Sequence, residues 1–317
     1  MKFKWLLYVF LGLSISVVFT VCCENTESVA GLEGHSKRLF RDAIVEVVLH
    51  EELLATQLKD YLPSRNHHIV VVTPSYKNAD WYKRNLASIF AQDYKNFSLV
   101  YVDDASPDNT GDLVRQYIKK HKQEDRSILI VNKKNQGAMA NLYNVIVALP
   151  PETIVVTLDG DDWFAQPHVL SLINKIYNKY DVLMTYGSYQ RYPYQGKRAL
   201  HCRQLPAAVI ETNSFRSYPK WVTSHLRSFK AGLFQRIKKD DLLYEGKFVT
   251  RSYDLACMFP MLEMAGHRSM FINDILYIYN YATPLNDAKI ARKEQKKLGR
   301  YIRAKKPYDP LAFGVAY

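Results

Sequence analysis

From His68 onward the apolar residues fall into short runs that alternate with amphipathic stretches. His68 to Thr73 (HIVVVT), Phe97 to Val102, Ser127 to Val131, Thr153 to Leu158 and Asp181 to Tyr186 have the β-branched, uninterrupted character of buried strands. Between them lie segments with helical spacing. Asn78 to Ala91 sets Leu86, Ile89 and Phe90 on one side, Thr110 to His121 sets Leu113, Tyr117 and Ile118 inward, and Gly137 to Leu149 carries Met139, Leu142, Tyr143 and Ile146. Gln166 to Tyr180 completes the series, with Pro167 in its expected first turn. Regular strand–helix alternation predicts an α/β fold, a mostly parallel sheet flanked by helices on both faces. After Gly187 the alternation weakens, and this half is expected to wrap the carboxyl edge of the strands, where ligands bind in such sheets.

Ahead of the alternation the pattern differs. Lys2 and Lys4 precede an uncharged apolar run from Trp5 to Val21. As a helix it would span about 25 Å, a little less than the roughly 30 Å hydrocarbon core. Glu24 and Glu27 follow it, so the charge bias sets the N-terminus on the cytoplasmic side. Both a signal-anchor and a cleaved signal peptide fit residues 1–23, and the Cys22-Cys23 pair is a further candidate for processing or lipidation. The expected location is membrane-anchored or secretory: an endoplasmic reticulum or Golgi lumen in a eukaryotic or viral setting, the cell envelope in a bacterial one. Residues 24–66 read as a polar linker and a helical stem in which Leu39, Ala43, Val47, Leu54 and Leu58 recur, ended by Pro63. The globular domain is expected over 67–290, with a basic tail over 291–317.

Composition narrows the function. The apolar share of 48% excludes a disordered chain, and four cysteines do not make a disulfide framework. Cys202 and Cys257 are a possible pair, although buried thiols suit them better. The net charge of +12 invites an anionic partner, but no nucleic-acid reading module is present.

The candidate chemistry lies at two acidic clusters, each directly after a predicted strand: Asp103-Asp104 after FSLVYV, and Asp159, Asp161 and Asp162 after TIVVTL. In a parallel sheet both project from one edge. Gathered carboxylates repel, and a hard cation such as Mg²⁺ or Mn²⁺ relieves that repulsion. Either cluster alone also reads as ordinary turn chemistry. Neither G-x-G-x-x-G nor G-x-x-x-x-G-K-[ST] occurs, so a phosphate compound would rely on side chains and a metal rather than on a glycine cradle.

The stretch VVVTPSYKNADWYKRNLASIFAQDYKNFSLVYVDDASPDNTGD resembles the opening of the family 2 glycosyltransferases; NQGAMANLYN is similar to that family's Asn-x-Gly segment, and LDGDDWF to its DxD-type motif. The resemblance covers about Ile69 to Tyr186. It implies a Rossmann-like GT-A fold and an inverting transferase of the hexosyltransferase class, using a nucleotide diphosphate sugar donor, a divalent metal, and a glycan, protein or lipid acceptor. It places Pro74, Tyr76 and Asp104 around the nucleotide base and Gly137 in the donor-binding segment. Asp161 becomes the metal-side carboxylate, with Asp159 or Asp162 completing the motif on sugar, ribose or metal. Asp254 matches the family's base, although Tyr253 stands where a glutamate is usual, and the competing role for Asp254 is a helix N-cap. Glu263 is the reserve candidate. His225, Arg227 and Lys230 lie where polar side chains can face the diphosphate, and Tyr277 to Tyr281 reads as core strand before sugar platform. A nucleotidyltransferase-like enzyme and a non-catalytic binding member of the fold are the alternatives.

Overall fold

A computed structural model describes residues 65–193, 202–283 and 291–312, all within the unit Ser64–Tyr317. The expected apolar leader and stem lie outside the described residues. Among the described residues, no helix is long and apolar enough to cross a membrane.

The elements are β1 (Ile69–Ser75), α1 (Tyr82–Phe90), β2 (Phe97–Asp103), α2 (Thr110–Lys120), β3 (Ser127–Val131), α3 (Ala138–Ile146), β4 (Ile154–Thr157), β5 (Trp163–Phe164), α4 (Val169–Lys179) and β6 (Met184–Tyr192). There follow α5 (Ala207–Glu211), β7 (Ser224–Lys230), α6 (Ala231–Gln235), the short β8 (Leu243–Tyr244) and β9 (Lys247–Phe248), α7 (Tyr253–Ala265), β10 (Ser269–Asn280) and α8 (Arg292–Arg303).

Eight strands form one sheet in the order β3-β2-β1-β4-β7-β6-β10-β5. β1 pairs in parallel with β2 and β4, β2 with β3, and β6 with β10. β7 runs antiparallel to both β4 and β6, and β5 antiparallel to β10. The pleat divides β1 between two cores. Ile69 and Val71 pack with α1, α2 and α4 on one face. Val70 and Val72 pack with α3, α5, α6 and α7 on the other. Helices thus cover both faces, as the alternation predicts.

Three details differ from the sequence pattern. The helix expected from Asn78 starts at Tyr82, because the Asn78 side chain bonds Ser75 Oγ at 2.9 Å while its carbonyl accepts from Trp81 and Tyr82, a local competition that makes a turn of the first residues. β6 continues past Tyr186 to Tyr192, held by pairing to β10. Within the segment set apart as a basic tail, α8 is part of the domain: Leu298 and Ile302 are buried, and Arg303 donates to the carbonyls of Arg216 and Tyr218. Cys202 and Cys257 are buried in opposite core clusters and are not joined.

Candidate active site

A cavity of about 520 Å³ opens at the carboxyl ends of β1, β2 and β4. Pro74, Tyr76, Asp104, Gly137, Asp159, Asp161, Asp162, His225, Arg227 and Asp254 all line it. The chain therefore brings these ten candidates to one place, while Lys230 and the reserve base Glu263 lie outside it.

Asp104 follows β2 and is buried. Its carboxylate accepts from Asn132 Nδ2 at 2.7 Å, Gln136 N at 2.9 Å and Gly137 N at 2.8 Å. It thereby fixes the 132–137 loop, in which Gly137 has φ of 86°, a conformation side chains disfavour. In the same acidic stretch Asp103 is buried, and Asp108 makes turn contacts, accepting from Ala79 N and from Thr110 N and Oγ1.

The DGDD loop is clamped from several sides. Asn85 of α1 donates to the carbonyls of Asp159 (3.0 Å) and Asp162 (2.8 Å). Gly160 has no room for a side chain, since a Cβ there would come within 2.6 Å of Ser75. Asp162 is 1% exposed. Its oxygens accept from Tyr277 Oη at 2.5 Å and Asn280 N at 2.6 Å, both on β10. Asp162 therefore ties the loop to the far strands, each of its oxygens accepting one hydrogen bond. Burial, then the charges of Asp161 and Asp159, push its carboxyl well above the usual range. Asp161 also lines the cavity.

Asp159 links the two walls. Tyr253 Oη donates to its Oδ1 at 2.9 Å, and His225 Nε2 lies 3.9 Å from Oδ2. Burial raises the Asp159 carboxyl above its ordinary value, against the opposing pull of Arg227 and the Tyr253 hydroxyl. Tyr253, the departure from the expected glutamate, is thus a bond between α7 and the DGDD loop. Asn85 does not stand out in the sequence; Tyr253 was marked only as the unusual residue before Asp254.

The second wall comes from β7 and α7. Because β7 is antiparallel to β4, its first residues lie at the site edge: Arg227 is level with Thr157, whereas Lys230 is level with Ile154 at the opposite end. Lys230 accordingly donates to the Glu152 carbonyl at 2.9 Å and does not line the cavity, contrary to its grouping with His225 and Arg227. His225 stacks on Tyr277, with ring centroids 4.5 Å apart. Arg227 is buried and donates to Asp254 Oδ2 at 3.3 Å. Burial works against its charge, but Asp254, Tyr253 and Asp159 outweigh it and hold the guanidinium protonated.

Asp254 lies in the first turn of α7, whose cap position is Ser252, and no side-chain capping bond is made there. The N-cap role is thereby set aside. Its side chain is 27% exposed toward the cavity. Glu263, by contrast, is 0% exposed, held by Arg216 at 2.5 and 2.9 Å, and accepts from Tyr308 N. It is a structural ion pair away from the cavity.

A family model described as glycosyl transferase family 2 matches residues 70–238, more than half of the chain. The chain belongs to that family. Among its relatives, glycosyltransferase GlyG of Streptococcus pneumoniae serotype 4 is 24% identical over 217 residues, 67% of this chain and 70% of that protein. GlyA of the same organism is 30% identical over 224 residues, 67% of this chain but only 30% of that larger protein. In fold, the chain is similar to S. aureus TarS 1-349 in complex with UDP-GlcNAc (TM-score 0.55, 15% identity, 74% of this chain and 65% of that one). It is also similar to the mannosyltransferase PcManGT of Pyrobaculum calidifontis in complex with GDP-Man and Mn²⁺ (TM-score 0.52, 20% identity, 84% and 76%). The fold is GT-A-like, and the protein is a glycosyltransferase.

Proposed function

We propose that the protein transfers a hexosyl group from a nucleotide diphosphate sugar, a UDP-sugar, to an acceptor hydroxyl with inversion. The observation that supports this best is the cavity itself, which sets the DGDD carboxylates on one wall and the accessible Asp254 on the other. The structural neighbours carry UDP-GlcNAc and GDP-Man with Mn²⁺, which supports a nucleotide-sugar donor.

In this reading Pro74, Tyr76 and the loop braced by Asp104 hold the nucleotide end. Arg227 and His225 face the diphosphate, and Arg227 also orients Asp254. The acceptor oxygen attacks the anomeric carbon as the bond to the diphosphate breaks, and the hydroxyl proton passes to the Asp254 carboxylate. A single displacement inverts the anomeric centre.

The residues fit a divalent cation, Mn²⁺ or Mg²⁺. Among the described residues no group of three or more His, Cys, Asp and Glu forms a ready metal cage. Asp159 and Asp161 nevertheless line one cavity, and a hard cation needs only one or two carboxylates, with the remainder of its shell from phosphate and water. Asp161 would hold it, with Asp159 beside it, and when bound it neutralises charge on the departing diphosphate. The uncharged run between Lys4 and Glu24 further supports attachment to a membrane or entry to a secretory route.

The test is a panel of UDP- and GDP-sugars incubated with the full chain, with and without Mn²⁺. Metal-stimulated release of nucleoside diphosphate from one donor is expected. Asp161→Ala is expected to lose metal-stimulated nucleotide binding in calorimetry at an unchanged melting temperature. Equal binding by the variant, or turnover of no sugar in the panel, would overturn the proposal.

A further inference from the structure

α8 has two unlike sides. Leu298 and Ile302 are buried, and Gln295 on that side lines the cavity, its carbonyl accepting from Ser252 Oγ at 3.1 Å. At about 100° per residue, Arg292, Lys293, Lys296, Lys297 and Arg300 fan over roughly 140° of the other side and about 12 Å of axis. All five are exposed. None forms an ion pair among the described residues. Glu294, the one acid in the helix, is turned toward Thr250 and Arg251.

Aromatic rings accompany these cations. Tyr244 packs edge-on to Tyr301 at 4.8 Å, and Lys297 Nζ lies 5.1 Å from the Tyr244 ring. The result is a basic, ring-bearing strip whose inner side forms part of the cavity wall. None of the five cations lines the cavity, so they are not placed to bind the donor diphosphate.

We infer that the acceptor is an anionic glycan, one bearing carboxylate, sulfate or phosphate groups, and that it docks along α8 with its end delivered to Asp254. This rests on the glycosyltransferase reading above and adds the acceptor class to it. Clustered like charge beside a cleft raises the local concentration of an oppositely charged substrate, and the chain as a whole carries +12. A membrane surface suits the strip less well. An interfacial helix keeps an apolar side for insertion among lipids, whereas α8 turns Leu298 and Ile302 inward against the domain.

The experiment compares the full chain with a Lys293→Glu/Lys296→Glu/Arg300→Glu variant. The probes are polygalacturonate, neutral dextran, and vesicles of phosphatidylglycerol with phosphatidylcholine, each at low and physiological salt; UDP binding is measured in parallel. The wild-type chain is expected to bind polygalacturonate in a salt-sensitive manner and to ignore dextran. The variant is expected to bind polygalacturonate at least about tenfold more weakly, with UDP affinity and melting temperature unchanged. The inference is overturned if the variant binds polygalacturonate as the wild type does, if the wild type binds neither probe, or if it prefers the vesicles. Absence of UDP binding by the wild type would count instead against the donor reading, so the two failures are separable.

Discussion

Asp104 and Asp162, on the wall built from β1 to β4, receive three and two internal hydrogen bonds respectively. Asp254, on the wall built from β7 and α7, is held by one contact to Arg227 at 3.3 Å and keeps 27% of its side chain exposed. These acids face one cavity, but they are not equivalent. A carboxylate that receives buried N–H and O–H donors holds loops in place, because withdrawing it leaves each donor unsatisfied at about 1–3 kcal/mol. A carboxylate with one long contact can exchange partners and take up a proton. Asp104 and Asp162 are thus braces of the cavity wall, whereas Asp254 keeps the looser hold that the proposed base would need.

The largest test of that division is Asp254→Asn. It retains the shape of the side chain and removes its basicity, so turnover is expected to fall by about a hundred- to ten-thousand-fold with UDP affinity and melting temperature near wild type. Turnover within about threefold of wild type would place the base elsewhere. A smaller effect, on stability, should separate neighbours in one motif. Asp162→Ala leaves Tyr277 Oη and Asn280 N without their acceptor and is expected to cost about 2–4 kcal/mol in urea unfolding. Asp161→Ala is expected to stay within about 1 kcal/mol. Equal losses would remove the distinction between brace and ligand.

The smallest effect concerns the two cations of β7. Arg227 has carboxylate partners, whereas Lys230 bonds a carbonyl, and burial pulls its pKa down to about 8. A lysine with a lowered folded-state pKa contributes stability that is present above its unfolded value and lost as pH falls through the folded one. Stability of the wild type should therefore decline between about pH 10 and pH 8 relative to Lys230→Met. Parallel pH profiles for the two proteins would show that Lys230 is as well solvated as a surface lysine.

Much of the first wall was legible because its signals are local. Apolar runs such as Ile69 to Val72 mark buried strands, and an acid placed directly after such a run must emerge at the sheet edge. Asp104, Asp159 and Asp161 were found in this way. The second wall was harder to read. His225 and Arg227 were singled out beside Lys230, but nothing in WVTSHLRSFK states that the strand runs backward and carries Lys230 to the far edge. Asp254 was found by its likeness to a family pattern, and the cap role left open for it was excluded only by the geometry of α7.

The sequence by itself determined the alternation of strands and helices, the two-faced core and the edge at which acids gather. These follow from the periods of the pleat and the helix, which act over a few residues. Only the tertiary structure decided what each acid contacts. Tyr253 reaches Asp159 across 94 residues, Tyr277 and Asn280 reach Asp162 across 115 and 118, and Gln295 joins the cavity from a helix that reads as a charged tail. A hydrophobic pattern records that a residue is buried or exposed. It does not record the partner, because hydrogen bonds at such separations depend on the path of the whole chain, above all on the reversed direction of β7 and the return of α7 to the cavity.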